Sequence, residues 1–209
     1  MVGHRREAHR PVSGARGGTG FLTDGYRLGM ATQHQSIRRF YDGWQQYNER
    51  LVGVIRPMSM DQVQLRPAPE RAPIWATVGH TAGVRVFWLC GVFKEPGAET
   101  TPFPDPNADG WEDDEDHPRN ADELVMALET TWAIVDGCLD RWTPDMLSEP
   151  FAREYAGKQQ IHTRQSVIMR LLSHDAYHCG ELSQTLGILK LPQIDLWAPQ
   201  AYIDAGGEG

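Results

Sequence analysis

The chain has 209 residues, of which 40% are hydrophobic and 23% charged, and it carries a formal charge of −8 at pH 7. This is enough apolar material for one domain of ordinary size with tails, and the acidic balance argues against nucleic acid or an anionic membrane as the main partner. Three scattered cysteines, Cys90, Cys138 and Cys179, form no Cys-x-x-Cys pair, which disfavours a disulfide framework and fits a reducing cytoplasm.

No apolar run approaches the roughly 18 residues of a membrane span. The longest, Val84 to Phe93, is short and contains Arg85, and the first residues lack the apolar core of a secretory signal. A soluble cytoplasmic protein is expected.

In chain order, residues 1–30 hold seven glycines and five arginines with few large apolar side chains. Such a stretch cannot offset the entropy of ordering and reads as a disordered extension. The folded domain is expected over 31–198, followed by a frayed tail over 199–209. From about His34 to Ile55, the residues Ile37, Phe40, Tyr41, Trp44, Tyr47, Leu51 and Ile55 recur at helical spacing, which predicts a first helix with an aromatic stripe on its core face. His34, at its start, reads as solvated.

The proline-rich run 57–73 reads as a connector, and Pro73 suits the first turn of a second helix. That helix, Ile74 to Val92, is apolar nearly all round and therefore well buried. His80 sits in its middle beside Gly79, Ala82 and Gly83, small residues that would let a neighbouring helix approach closely.

Between Glu95 and Asp116 there are nine acids and no lysine or arginine. Asp105 to Asp116 resembles a calcium loop in donor spacing, but aspartate at position twelve and charged Glu112 at position eight argue against one. A solvated surface loop or lid is expected, His117 included. Beyond it, Val125, Leu128, Trp132, Val135 and Leu139 step by three and four, the seam of a bundle helix, with Cys138 packed beside it. Arg153, Glu154 and Lys158 mark an exposed connector. A last helix starts near Ile161 or Thr163 and stops at Gly187, and the tail folds back through Ile194 and Trp197. The expected fold is all-α: a four-helix bundle with one long acidic connection and an irregular C-terminal tail.

The last helix carries the chemistry. At about 100° per residue, with His174 at zero, His178 falls at about 40° and Glu181 at about −20°. Val167, Leu171, Leu182 and Thr185 share that arc, so two imidazoles and a carboxylate project from the face the helix must bury, which is costly unless something satisfies them. A histidine pair four residues apart can chelate one ion, and His80 offers a third ligand from another helix. Neutral imidazoles favour zinc, nickel, copper or iron over magnesium or calcium. Three protein ligands leave a position for water or substrate, as in catalytic sites. The alternative is a buried polar cluster satisfied by Tyr177, Asp175 or water. Cys179 lies about 140° from His174 on the same wheel and reads as a packed thiol.

The run Ser-His174-Asp-Ala-Tyr-His178-Cys-Gly-Glu181-Leu, preceded by Trp75-Ala-Thr-Val-Gly-His80 and followed by Gly187-Ile-Leu-Lys-Leu-Pro-Gln-Ile-Asp-Leu-Trp, resembles the DinB-like (DinB/YfiT) superfamily over about residues 33–197. That resemblance implies a divalent metal, zinc or nickel first, held by His80, His174 and His178 within a four-helix bundle. The position after Gly180 is often glutamine in such proteins and here is Glu181, which can be an outer partner of a ligand, a general base or a weak ligand.

Relatives of this kind include thiol-dependent S-transferases and isomerases that use a low-molecular-weight thiol such as mycothiol or bacillithiol, metal-dependent hydrolases, and proteins without known activity. Three readings follow: a thiol-dependent S-transferase, a hydrolase with Glu181 as base, and a non-catalytic metal- or small-molecule-binding stress protein. Glu181 and Tyr177 are the candidates for proton chemistry. Tyr41, Trp44 and Trp88 are the candidates to rim a pocket for the small-molecule substrate or thiol. A homodimer through bundle faces is suggested by analogy.

Overall fold

The structure, a computed structural model, describes residues 35–195. The expectations for residues 1–30, His34, Trp197 and 199–209 lie outside the described residues. Five α-helices and a β-hairpin make up the fold: α1 Trp44–Ile55, α2 Met60–Val63, α3 Ile74–Val86, α4 Ala121–Arg141, β1 Pro150–Tyr155, β2 Lys158–Thr163 and α5 Arg164–Ile188. Among the described residues no helix is long and apolar enough to cross a membrane.

Four of the helices lie where the apolar periods put them, with local corrections. The first begins ten residues late, because Gly43 adopts a left-handed φ of 94° and a 3-10 turn, Arg38–Phe40, precedes it. That break in phase leaves Phe40 62% exposed while Ile37, Trp44, Leu51 and Ile55 are buried. The connector 57–73 contains a one-turn helix that its prolines concealed, α2, closed by a capping box between Ser59 and Gln62. Pro73 is the N-cap of α3, which runs on through a wider π-helical stretch, Phe87–Val92. Asn120 and Thr163 cap α4 and α5 in the same reciprocal way. The last helix passes Gly187 and stops where Lys190 takes a φ of 58°. Ile194 is buried, and its carbonyl accepts from Ser183 Oγ at 3.1 Å, so the tail is laid back as expected.

The hairpin corrects the all-α expectation. β1 and β2 pair antiparallel from Pro150↔Thr163 to Tyr155↔Lys158. Ala156 and Gly157 turn the chain at φ 51° and 72°, the left-handed pair that matches strand twist in a two-residue turn. No apolar alternation announces these strands, because most of their residues are exposed.

The core has two parts. Leu51, Ile55, Val78, Leu124, Leu128 and Leu182 belong to one, and Trp44, Val86, Trp132, Val135, Val167 and Leu171 to the other. A polar knot is buried among them. Arg85 and Asp175, each side chain 1% exposed, pair at 2.9 Å. Trp44 Nε1 donates to Asp175 at 2.8 Å, and Arg85 donates to Asn48 Oδ1 at 2.7 Å. A buried charge without partners is costly; here every charge is met, and α1, α3 and α5 are tied together next to His174.

The small face of α3 does receive a close neighbour, but it is the acidic loop and not a helix. A Cβ at Gly79 would lie 3.2 Å from the Trp111 ring and one at Gly83 3.4 Å from Phe103. Trp111 and Phe103 stack at 4.8 Å, and the Arg119 guanidinium caps Trp111 at 4.6 Å. The loop is therefore docked through aromatic side chains, which corrects the reading of it as solvated. Its acids are dispersed to separate partners. Glu115 pairs with Arg66, Asp113 caps Gly110, and Asp114 meets the exposed His117. That arrangement does not make a calcium loop.

Candidate metal centre

His80 projects from the middle of α3, and His174 and His178 from successive turns of α5. His174 Nε2 lies 3.0 Å from His80 Nε2 and 3.2 Å from His178 Nε2. One ligand atom from each of the three falls within 4.8 Å of the others.

The outer nitrogens of two rings are anchored. His178 Nδ1 donates to Glu181 Oε2 at 2.8 Å, and His80 Nδ1 donates to Glu112 Oε1. These bonds fix the tautomers: with hydrogen on Nδ1, His80 and His178 both present a bare Nε2 lone pair inward. His174 Nδ1 is buried without a hydrogen-bond partner. A hydrogen on His174 Nε2 could serve only one of the two facing lone pairs, and the other would face a lone pair at hydrogen-bond distance.

A cation satisfies all three at once. Tetrahedral nitrogen ligands at zinc-type bond lengths sit about 3.3 Å apart, close to the separations seen. Carboxylate-to-histidine-to-metal relays are the usual outer shell of such sites. The residues fit a divalent metal.

The electrostatics keep His174 neutral and make His80 the more basic ring, whose proton a cation would displace. Burial pushes His174 down to about 3, with the positive field of its histidine neighbours, Arg85 and Arg170 adding to the effect, so its ring stays neutral and ligand-competent. The hydrogen bond to Glu112 raises His80. Burial acts to raise Glu112 itself, but its bond with His80 and the neighbouring charges leave it below the usual carboxylate range. Glu112 therefore stays an acceptor.

The polar-cluster alternative has less support, since Asp175 is consumed by Arg85 and Trp44 and not by a histidine. Tyr177 is 66% exposed with its ring edge-on to His178 at 5.0 Å, at the mouth of the centre. Glu181 and Tyr177 line an open groove of about 910 Å³ running toward Arg71 and Pro67. His174 and Tyr177 line a second, more open one of about 600 Å³. Trp44 is buried at 2% exposed in the core with its N–H given to Asp175, and the ring of half-buried Tyr41 packs against it, tilted, at 6.3 Å. Trp88 is 8% exposed and packs against Phe87 and His162. The structure thus brings the three histidines, Glu181 and Tyr177 together and leaves Tyr41 and Trp44 in a separate packing group. It also adds Glu112, 32 residues from its partner His80. Nothing in the sequence singles Glu112 out among the nine acids between Glu95 and Asp116.

The DinB superfamily model matches residues 44–182, which include all three histidines and both carboxylates. The chain belongs to the DinB superfamily. The fold of this DinB-superfamily chain is similar to that of a DinB-like protein from Bacillus cereus, at a TM-score of 0.57 and 15% identity, covering 81% of this chain and 99% of that one. It is also similar to a conserved protein from Enterococcus faecalis, at a TM-score of 0.53 and 15% identity, covering 75% and 98%. A comparison with curated proteins found no match. At these identities the two structures speak for the DinB-like fold alone.

Proposed function

We propose that this chain is a metal-dependent S-transferase that joins a low-molecular-weight thiol to a small electrophile. The observation that carries the reading is the meeting of three Nε2 atoms, two of them oriented by carboxylates, beside open grooves. A bound divalent cation, zinc or nickel by donor type, would supply Lewis-acid chemistry that brings a thiol proton within reach of neutral pH.

The chain's own residues supply the rest. His80, His174 and His178 are the ligands, and Glu112 and Glu181 fix two of the rings. The Arg85–Asp175 pair holds α5 against α3, so the ligands stay in register. Tyr177, at the groove mouth, is placed to donate a hydrogen bond to the incoming electrophile or its leaving group. With chloro-dinitrobenzene the carbon–sulfur bond forms, chloride leaves with its bonding pair, and the thiol proton passes to solvent. The three free cysteines are all buried, in keeping with a cytoplasmic setting and an external thiol.

The test is thiol consumption with chloro-dinitrobenzene or an epoxide, after elemental analysis of protein purified without chelators or a histidine tag. Thiol loss above the metal-free control is expected; no loss across several thiols overturns the proposal.

Hydrolysis with Glu181 as base is a second reading, favoured by the place of Glu181 on the larger groove. Replacing Glu181 with Gln separates the two, because an amide oxygen can still accept from His178 Nδ1 but cannot take a proton from water. S-transfer is expected to survive this change within a few-fold, whereas hydrolysis is expected to vanish with metal content intact.

A further inference from the structure

A cluster of cationic and aromatic side chains borders the metal centre and belongs to no part of the site described so far. Arg170 lies on α5 one turn before His174, about 6 Å along the helix axis, and stacks on Trp88 at 4.9 Å. Arg153, from β1, stacks on Trp88 from 5.5 Å, on Phe87 from 5.2 Å and on Tyr155 from 5.0 Å. Both guanidiniums thus share one indole, and Trp88 is held beneath them because the π-helical stretch after α3 packs against the hairpin. His162, opposite Phe151 on β2, closes the cluster with its ring 4.9 Å from Trp88, and its Nε2 donates to Gln160 Oε1 at 3.2 Å.

Among the described residues neither Arg153 nor Arg170 has a carboxylate partner, while Arg38, Arg56, Arg66, Arg85, Arg119, Arg141 and Arg164 each have one. Arg153 and Arg170 differ from the remaining arginines in lying together on one indole beside the histidine centre, where they suit an anion. Both are held over aromatic rings, and a guanidinium's forked N–H donors suit a carboxylate. The groove of about 600 Å³ along α5 connects Arg170 to the centre. It is lined by Ser166, Met169, Arg170, Ser173, His174 and Tyr177, so one metal ligand and one guanidinium face the same space. Met169 is 50% exposed on that groove and offers an apolar wall beside Arg170.

We propose that Arg170 and Arg153, clamped on Trp88, form a carboxylate-recognition site beside the three-histidine centre, and that the small-molecule thiol bound there carries a carboxylate. The pairing decides the class: a carboxylate on the thiol would meet the guanidiniums, and a thiol without one would leave them unmet. This inference rests on the S-transferase reading for the identity of the sulfur, but not for the anion site itself.

The experiment uses an unreactive probe, N-acetyl-S-methylcysteine, and its uncharged methyl ester, titrated calorimetrically into the full chain in zinc-loaded and metal-free forms. The acid is expected to bind at least tenfold more tightly than the ester in both forms. Arg170→Met, which keeps an apolar stem on Trp88, is expected to abolish that preference while leaving the ester's affinity and the metal content unchanged; Arg170→Lys should restore part of it. Arg153→Met is expected to act in the same direction, and because Arg170 is exposed its variant decides the matter if the strand variant misfolds.

Equal binding of acid and ester, no binding of the acid, or an unchanged preference in Arg170→Met each overturns the proposal. A carboxylate preference without any thiol consumption leaves the anion site standing and removes the S-transferase reading. Thiol consumption indifferent to charge does the reverse.

Discussion

Glu112 and Glu181 hold two imidazoles by the same bond from two different segments, one a docked loop and one the ligand helix itself. Outer carboxylates of this kind typically contribute 10–100-fold in metal affinity, on the order of 1.4 to 2.7 kcal/mol. Glu112→Ala is therefore expected to weaken zinc binding by about that factor without unfolding the protein, read by competition with a coloured chelator.

The cysteines give a second prediction at this scale. Burial pushes Cys90 up to about 11 and raises Cys138 further. A thiol raised in the folded state favours folding fully below its unfolded value, about 8.5, and loses that contribution as pH climbs through the folded value. Urea midpoints should fall steadily from about pH 8.5 upward, and Cys138→Ala should flatten the decline; a midpoint indifferent to alkaline pH would refute the assignment. The histidines are legible in the sequence because a helix period reports which side chains share a face. Glu112 is not, because its partner lies across a loop whose many acids hide the one that matters.

At the level of elements, the Arg85–Asp175 pair does what no apolar contact does here, fixing the rotation of α5 as well as its position. Removing one partner leaves a buried charge unmet, which costs about 3–5 kcal/mol. Asp175→Ala is expected to lose that much in chemical denaturation, with much of it regained in Arg85→Met/Asp175→Leu. If the single change cost under 1 kcal/mol, roughly a surface-pair value, the pair would not be the pin described.

Helices α3, α4 and α5 are legible because each buries an apolar stripe and carries a recognisable start. Two things are not. The hairpin buries too little to alternate, and its only local sign is Ala156-Gly157 between β-compatible residues. The phase break at Gly43 depends on a backbone conformation that glycine permits but does not require, so Phe40 reads as core and is exposed.

For the molecule as a whole, a site assembled from α3, α5 and the loop means that an ion binding it stabilises the entire fold. At a free metal concentration a thousand times Kd the gain is about 4 kcal/mol. The melting temperature should rise on adding zinc or nickel and stay put in His174→Ala. A rise of equal size in that variant would place the ion elsewhere. The same measurement bears on a purely binding role, since stabilisation without turnover of any substrate class would leave only that. The family is legible from three short motifs because they hold the ligands and the tail. The docked acidic loop, with Phe103 and Trp111 on glycines of α3, is readable only in three dimensions.

That loop sets up a closed thermodynamic cycle. Glu112 is shared by the segment and the centre, so whatever factor loop docking adds to ion affinity, ion binding must return to loop docking. Amide exchange across residues 105–117 should slow on zinc addition by the same ratio that Glu112→Ala subtracts from zinc affinity. Two unrelated instruments would then report one number, and a mismatch would mean that segment and centre are merely neighbours.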